Sequence, residues 1–138
     1  MNEKFLAAVL CLLLALCSMH SGCRRNRARD RTRRSTVESV VDAFIEAQEQ
    51  GDREGILDFI VARDRKTFKE VLQGLDDSDI VATGLQFREE NYQLEELSDD
   101  MAIFWSPSAK LYLVLVLEED TWRIDPGKTD EMNIDDGD

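Results

Sequence analysis

Residues 110–125 read KLYLVLVLEEDTWRID, and this stretch decides the fold. Leu111, Leu113, Leu115 and Leu117 fall on one side of an extended chain, and Tyr112, Val114 and Val116 on the other. That period of two predicts a β-strand over Lys110–Leu117. Glu118-Glu119-Asp120 is a polar turn, and Thr121–Asp125 returns as a second strand, so the stretch reads as an antiparallel hairpin. Both faces of its first strand are apolar. An antiparallel sheet with one wet face alternates instead, so something must cover the second face.

Working upstream, Met101–Trp105 is another two-sided apolar strand, joined through Ser106-Pro107-Ser108-Ala109. Asn91–Ser98 alternates in part through Tyr92, Leu94 and Leu97, and Ser98-Asp99-Asp100 reads as a turn. Ile80–Phe87, which contains Gly84, is ambiguous between helix and strand. Before it the period becomes helical. Ser35-Thr36-Val37-Glu38 has the form of a capping box. Val37, Val40, Val41, Phe44, Ile45 and Gln48 then share one helical face, and Gly51 is placed to end the helix. Asp52 can cap a second helix containing Ile56, Leu57, Phe59, Ile60 and Val61. Asp64 can cap a third, with Phe68, Val71, Leu72 and Leu75 at helical spacing, broken by Gly74 and Asp76-Asp77-Ser78-Asp79. The expected fold class is α+β, with three N-terminal helices packed on a curved antiparallel sheet of four to five strands. The folded domain is expected over 35–125, followed by an acidic, disordered tail over 126–138.

The chain has 138 residues and a formal net charge of -12, enough for one ordinary domain. The charge is unevenly spread. Residues 24–34, RRNRARDRTRR, carry seven arginines against one aspartate, whereas residues 35–138 carry 27 acidic and nine basic side chains. An acidic domain of this kind is not expected to bind nucleic acid. The arginine segment lacks apolar side chains to bury, so a disordered linker is expected over 23–34. Arg24, Arg25, Arg27, Arg29, Arg31, Arg33 and Arg34 would form a collar against anionic headgroups.

Phe5–Met19 is an unbroken apolar run of 15 residues. As a helix it would span about 22 Å, short for a hydrocarbon core of about 30 Å and suited to a signal peptide over 1–22. Ser21-Gly22-Cys23 then resembles a bacterial lipobox, although His20 stands where that pattern has an aliphatic residue. The resemblance implies lipidation at Cys23. Cys11 and Cys17 would leave with the signal, so Cys23 would be the only cysteine of the mature chain. The expected location is the cell envelope, lipid-anchored and facing the periplasm or exterior. The alternative is an N-terminal anchor with the domain in the cytoplasm, because seven arginines follow the apolar run.

Two stretches together resemble the nuclear transport factor 2-like superfamily, also called the cystatin-like or conical α+β fold. They are VESVVDAFIEAQEQGDREGILDFI, with its helix–Gly-Asp–helix step, and LYLVLVLEEDTWRID, where a long apolar strand turns into a Trp-x-Ile-Asp strand. The resemblance covers residues 36–125. It implies a cone-shaped pocket between helices and sheet, with Phe44, Phe59, Tyr92 and Trp105 as candidates for its wall. It also implies a sheet-to-sheet homodimer or protein partner over the face of Tyr112, Val114 and Val116. Burial by the tail or by sheet curvature is the other covering open to that face. Relatives range from isomerases and dehydratases to binding domains, so the fold alone does not name a reaction.

The chemistry in the sequence is sparse. The one histidine, His20, lies in the signal or its junction, and no metal-ligand spacing follows it. Asp76-Asp77-Ser78-Asp79 lacks the glycine and distal glutamate of a calcium loop. Tyr92 and Tyr112 are the available phenols, and Asp42, Glu46 and Asp58 are possible carboxylates that share helices with the core faces, with no spacing that pairs them compellingly. No catalytic residue, cofactor or metal is expected. The reading is a non-catalytic, lipid-anchored envelope protein whose domain binds a protein partner or a small apolar ligand. The alternative is a small cone-pocket enzyme with acid/base chemistry.

Overall fold

In the computed structural model, which describes residues 27–135, a long helix α1 runs through 27–49. The chain divides into two units, Met1–Ser35 and Thr36–Asp138, and the core and site described below lie within the second. The sequence suggested a start at Ser35 and disorder before it. Instead residues 27–34 are helical. Arginine is a good helix former, and no glycine or proline interrupts 27–49. Thr32 Oγ1 donates to Ala28 O one turn back, as helical threonines do. The signal segment, Cys23, Arg24 and Arg25 lie outside the described residues, as do the last three residues of the tail.

The apolar face read from the sequence is the buried face of α1: Val37, Val41, Phe44 and Ile45 are buried, and so is Gln48. Gly51 closes the helix at φ 65°. The N–H of Gly51 donates to Gln48 O and that of Asp52 to Ala47 O, a glycine-dependent helix end. Asp52 then caps α2 (Arg53–Asp58) by accepting from Gly55 N. A 3₁₀ turn, Ala62–Asp64, leads into α3 (Arg65–Gln73), and α4 occupies Asp77–Glu90. Arg53 ties this region together. Its guanidinium donates to Leu72 O and Leu75 O and pairs with Asp77 at 2.9 Å.

The ambiguous Ile80–Phe87 is therefore helical, and among the described residues four helices precede the sheet rather than three. The sheet has four antiparallel strands in the order β1 (Gln93–Leu97), β2 (Met101–Ser106), β3 (Leu111–Glu118) and β4 (Thr121–Ile124). Register fixes the faces. Leu113 lies opposite Phe104, and Leu115 opposite both Ala102 and Ile124. These residues and Trp122 share one core with Val41, Phe44, Ile56, Ile60, Leu72 and Ile80 of the helical half. On the other face Ile103 meets Val114, and Trp105 meets Tyr112. Residues beside α2 add a short parallel bridge, Ile60 to Ile124, along the outer edge of β4.

The tail departs from expectation most clearly. Pro126–Asp135 is a helix, α5. Asp125 and Pro126 form a start signal that the acidic composition masks: an N-cap carboxylate followed by proline at the first helical position. Asp125 Oδ1 accepts from Lys128 N at 3.0 Å and from Arg63 Nη2 at 2.8 Å. Because β4 is short, it pairs with β3 only over Leu115–Glu118, and among the described residues no strand lies beside Leu111–Val114 on that side. Side chains of α5 take its place. Val114 N donates to Thr129 Oγ1, Tyr112 N donates to Asn133 Oδ1, and Asn133 Nδ2 donates to Tyr112 O.

Candidate functional site

An apolar cavity of about 310 Å³ opens between the helices and the sheet. Phe44 and Gln48 enter from α1, Phe68, Val71 and Leu72 from α3, and Ile80, Thr83 and Phe87 from α4. Leu113 and Ile124 supply the sheet side, and Pro126, Thr129 and Asp130 the start of α5. The mouth is itself greasy: Val71 is 56% exposed and Leu75 36%. The amphipathic face of α3 read from the sequence thus faces the cavity and its rim, which is why Leu72 is buried while Val71 one residue earlier is not.

Close packing of two helices sets one wall. Gly84 lies against α1 so tightly that a Cβ there would stand 2.6 Å from Glu49 N and 2.8 Å from Gln48 Cβ. Beside this crossing Arg88 Nε donates to Glu49 Oε1 at 2.5 Å and Arg88 Nη2 to Glu49 Oε2 at 3.1 Å. The Arg88 hydrogen bond holds the Glu49 carboxyl below its ordinary range.

The polar groups in the wall are few. Thr83 Oγ1 donates to Asp79 O, and Thr129 Oγ1 donates to Asp125 O, so both hydroxyl protons serve the backbone. Asp130 is exposed. Gln48 is 5% exposed, and its Oε1 is buried with no hydrogen-bond partner among the described residues.

The sequence-predicted wall residues separate. Phe44 lines the cavity. Its ring makes edge contacts with Phe59 and Phe87, centroids 6.1 and 5.9 Å apart. Tyr92 stacks behind Phe87 at 5.5 Å, and its hydroxyl donates to Glu90 Oε2. Phe59 and Tyr92 thus form a second layer outside the lining. Burial, and then that hydrogen bond, push the Tyr92 phenol above its ordinary value. Trp105 lies on the opposite face of the sheet, stacked on Tyr112 at 4.5 Å. Asp42, Glu46 and Asp58 are exposed. Arg27, Arg29, Arg31, Arg33 and Arg34 all lie on α1.

The face expected to meet a partner is in part covered from within. Val114 is 1% exposed in the single chain, because α5 runs along β3. Tyr112 and Val116 are half-buried. A second hollow of about 460 Å³ lies on this side, between Met101, Val116, Arg63, Asp125 and Lys128. Charges of both signs border it, and its buried carboxylate, Asp125, is already held by Arg63.

Gln48 was visible in the sequence as a polar residue on an apolar face; Phe87, Thr83 and Thr129 were hidden in an ambiguous stretch and in the tail. Among the described residues, no helix is long and apolar enough to cross a membrane, and no group of His, Cys, Asp or Glu could hold a metal. No protein family, curated protein or solved structure matches this chain.

Proposed function

We propose that this chain is a lipid-anchored cell-envelope protein whose α+β domain binds a small apolar molecule without converting it. The observation that carries the binding role is the cavity: about 310 Å³, within the range of small-molecule sites, with aromatic and aliphatic walls and a greasy mouth. Acid/base chemistry needs a proton-transferring side chain directed into it. The acid at its wall is exposed, and Tyr92 stands outside the lining. The cavity's place between helices and sheet supports the likeness to the conical superfamily. The anchor reading rests on Ser21-Gly22-Cys23 after the apolar run, with the arginine segment as its headgroup collar.

The test is ¹⁹F resonance of 1-fluoronaphthalene added to the full chain in lipid nanodiscs. A saturable bound signal is expected, distinct from the free and lipid-dissolved pools. Thr83→Phe fills the cavity from α4 and should abolish that signal while far-UV circular dichroism stays native. A signal that survives the substitution, or none in the wild type, defeats the reading.

A further inference from the structure

Gln48 is the odd residue of the cavity. It sits at the α1–α4 crossing with its Cβ beside Gly84, so the tight approach of the two helices holds its stem in place. It is 5% exposed and belongs to the lining. Its Oε1 is sealed in the packing, out of reach of the cavity. The carboxamide is planar, with Nε2 on the edge away from Oε1, and Nε2 keeps the accessible surface of the head group. No described residue accepts a hydrogen bond from it. Burying an amide without partners is costly, and a leucine or methionine would fill the same space without that cost. The rest of the wall has little to donate. Thr83 and Thr129 give their hydroxyl protons to Asp79 O and Asp125 O, and among the described residues the lining contains no lysine, arginine or histidine.

From these facts we infer that the cavity selects a neutral molecule with one carbonyl acceptor, to which Gln48 Nε2 donates, and an apolar body packed against Phe44, Phe87 and Leu113. The inference rests on the proposed binding role and specifies its ligand. A cavity of about 310 Å³ holds roughly ten non-hydrogen atoms if each takes the roughly 30 Å³ of a liquid water molecule. A pure hydrocarbon would shut Nε2 off from water and give it nothing in return. A carboxylate would bring a full charge to a single neutral amide, with no cation in the described lining to pair it and exposed Asp130 at the wall. A ketone, ester or amide carbonyl meets the donor without that charge.

The experiment titrates nonan-2-one, its isostere 2-methylnon-1-ene and octanoate, all with the same number of non-hydrogen atoms, into the full chain in phosphatidylcholine nanodiscs. Methyl resonances of Leu72, Ile80 and Leu113 report occupancy, and partition into protein-free nanodiscs fixes the free concentration of each probe. The affinities of ketone and alkene are referred to their own water-to-hexadecane partition, which removes the difference in hydrophobicity. On that scale wild type should favour the ketone about tenfold, a ratio equivalent to about 1.4 kcal/mol. The side-chain amide protons of Gln48 should move downfield with the ketone and not with the alkene. Ionised octanoate should not saturate over the range in which the ketone does. Gln48→Met should bring ketone and alkene to parity. If wild type holds the ketone no better than the alkene, or octanoate saturates first, the inference fails while the binding role stands. If none saturates, both fail. The wild-type ratio and the amide shift need no variant, so a misfolded Gln48→Met would not rescue the idea.

Discussion

Replacing Gly84 with alanine tests the geometry that shapes the cavity. In an exposed helix interior this change stabilises by about 1 kcal/mol, since alanine is the better helix former. Here the new methyl would stand 2.6 Å from Glu49 N, 2.8 Å from Gln48 Cβ and 2.9 Å from Gln48 C, whereas ordinary contact begins near 3.4 Å. Two of those three atoms are backbone, so no rotamer change relieves the clash. The helices must part by most of an ångström, loosening the packing of Phe44 and Ile80 and stretching the Arg88–Glu49 pair. Overpacking of this kind costs roughly 1–3 kcal/mol. Because backbone must move, the upper end applies, and the propensity gain offsets about 1 kcal/mol of it. A net loss of about 2 kcal/mol should lower the melting temperature by roughly 10 °C in a domain of this size. Gly74→Ala is the matched control. Its Cβ would meet nothing closer than 3.5 Å and φ there is not positive, so it should be neutral or stabilise by about 0.5 kcal/mol. Guanidinium denaturation followed by circular dichroism, compared at constant m-value, reads both. A Gly84→Ala chain as stable as wild type would refute the close crossing.

Four further outcomes are expected. Glu119→Asn with Asp120→Gly should raise stability by about 1 kcal/mol, because both turn residues have positive φ, 49° and 62°, and this two-residue hairpin favours Asn-Gly; an unchanged denaturation midpoint would count against it. Thr129→Val and Asn133→Leu should each cost about 1–3 kcal/mol by orphaning backbone groups of Val114 and Tyr112, read as faster amide exchange at those residues and not at Leu115. The Glu49 carboxyl is depressed by Arg88, so the unfolded chain binds the extra proton: the pair's contribution is complete above the ordinary value of 4.5 and is lost as pH falls through the lower folded value. Glu49→Gln should therefore flatten the acid limb of the stability curve and leave the alkaline limb alone. Finally, labelled fatty acid should enter the wild-type chain in a bacterial host and not Cys23→Ala, with equal labelling of both fatal to the anchor reading.

Periodicity reveals elements that bury large side chains, and here its limits follow from that fact. The face of α1 was legible because Val37, Val41, Phe44 and Ile45 repeat at helical spacing, and the strands were legible because Leu and Val alternate from 111 to 117. Helix α4 was not. Its inward side is marked by Ile80 and Gly84, the residues it fully buries. A glycine chosen for close approach leaves no hydrophobic mark, and in sequence it reads as a breaker. The start of α1 was misplaced for a related reason. Ser35 and Glu38 form a genuine capping pattern, but a cap matters only where the preceding residues resist helix, and arginines do not.

The tail shows why the covering of the second sheet face could not be chosen from sequence. Helix α5 is held to β3 by Thr129 and Asn133, polar side chains one turn apart that stand in for a missing strand. They satisfy backbone groups as much as they bury apolar area, so neither composition nor apolar period signals them. The same element closes the cavity: Thr129, whose oxygen accepts from Val114 N, also lines it beside Pro126. Sheet edge and binding site are therefore coupled through one residue. Thr129→Val keeps the apolar wall but removes the bond to Val114 N, whereas Thr129→Ser keeps that bond and thins the wall. Comparing 1-fluoronaphthalene binding and Val114 amide exchange in these two variants separates the helix as a sheet cover from the helix as a cavity wall.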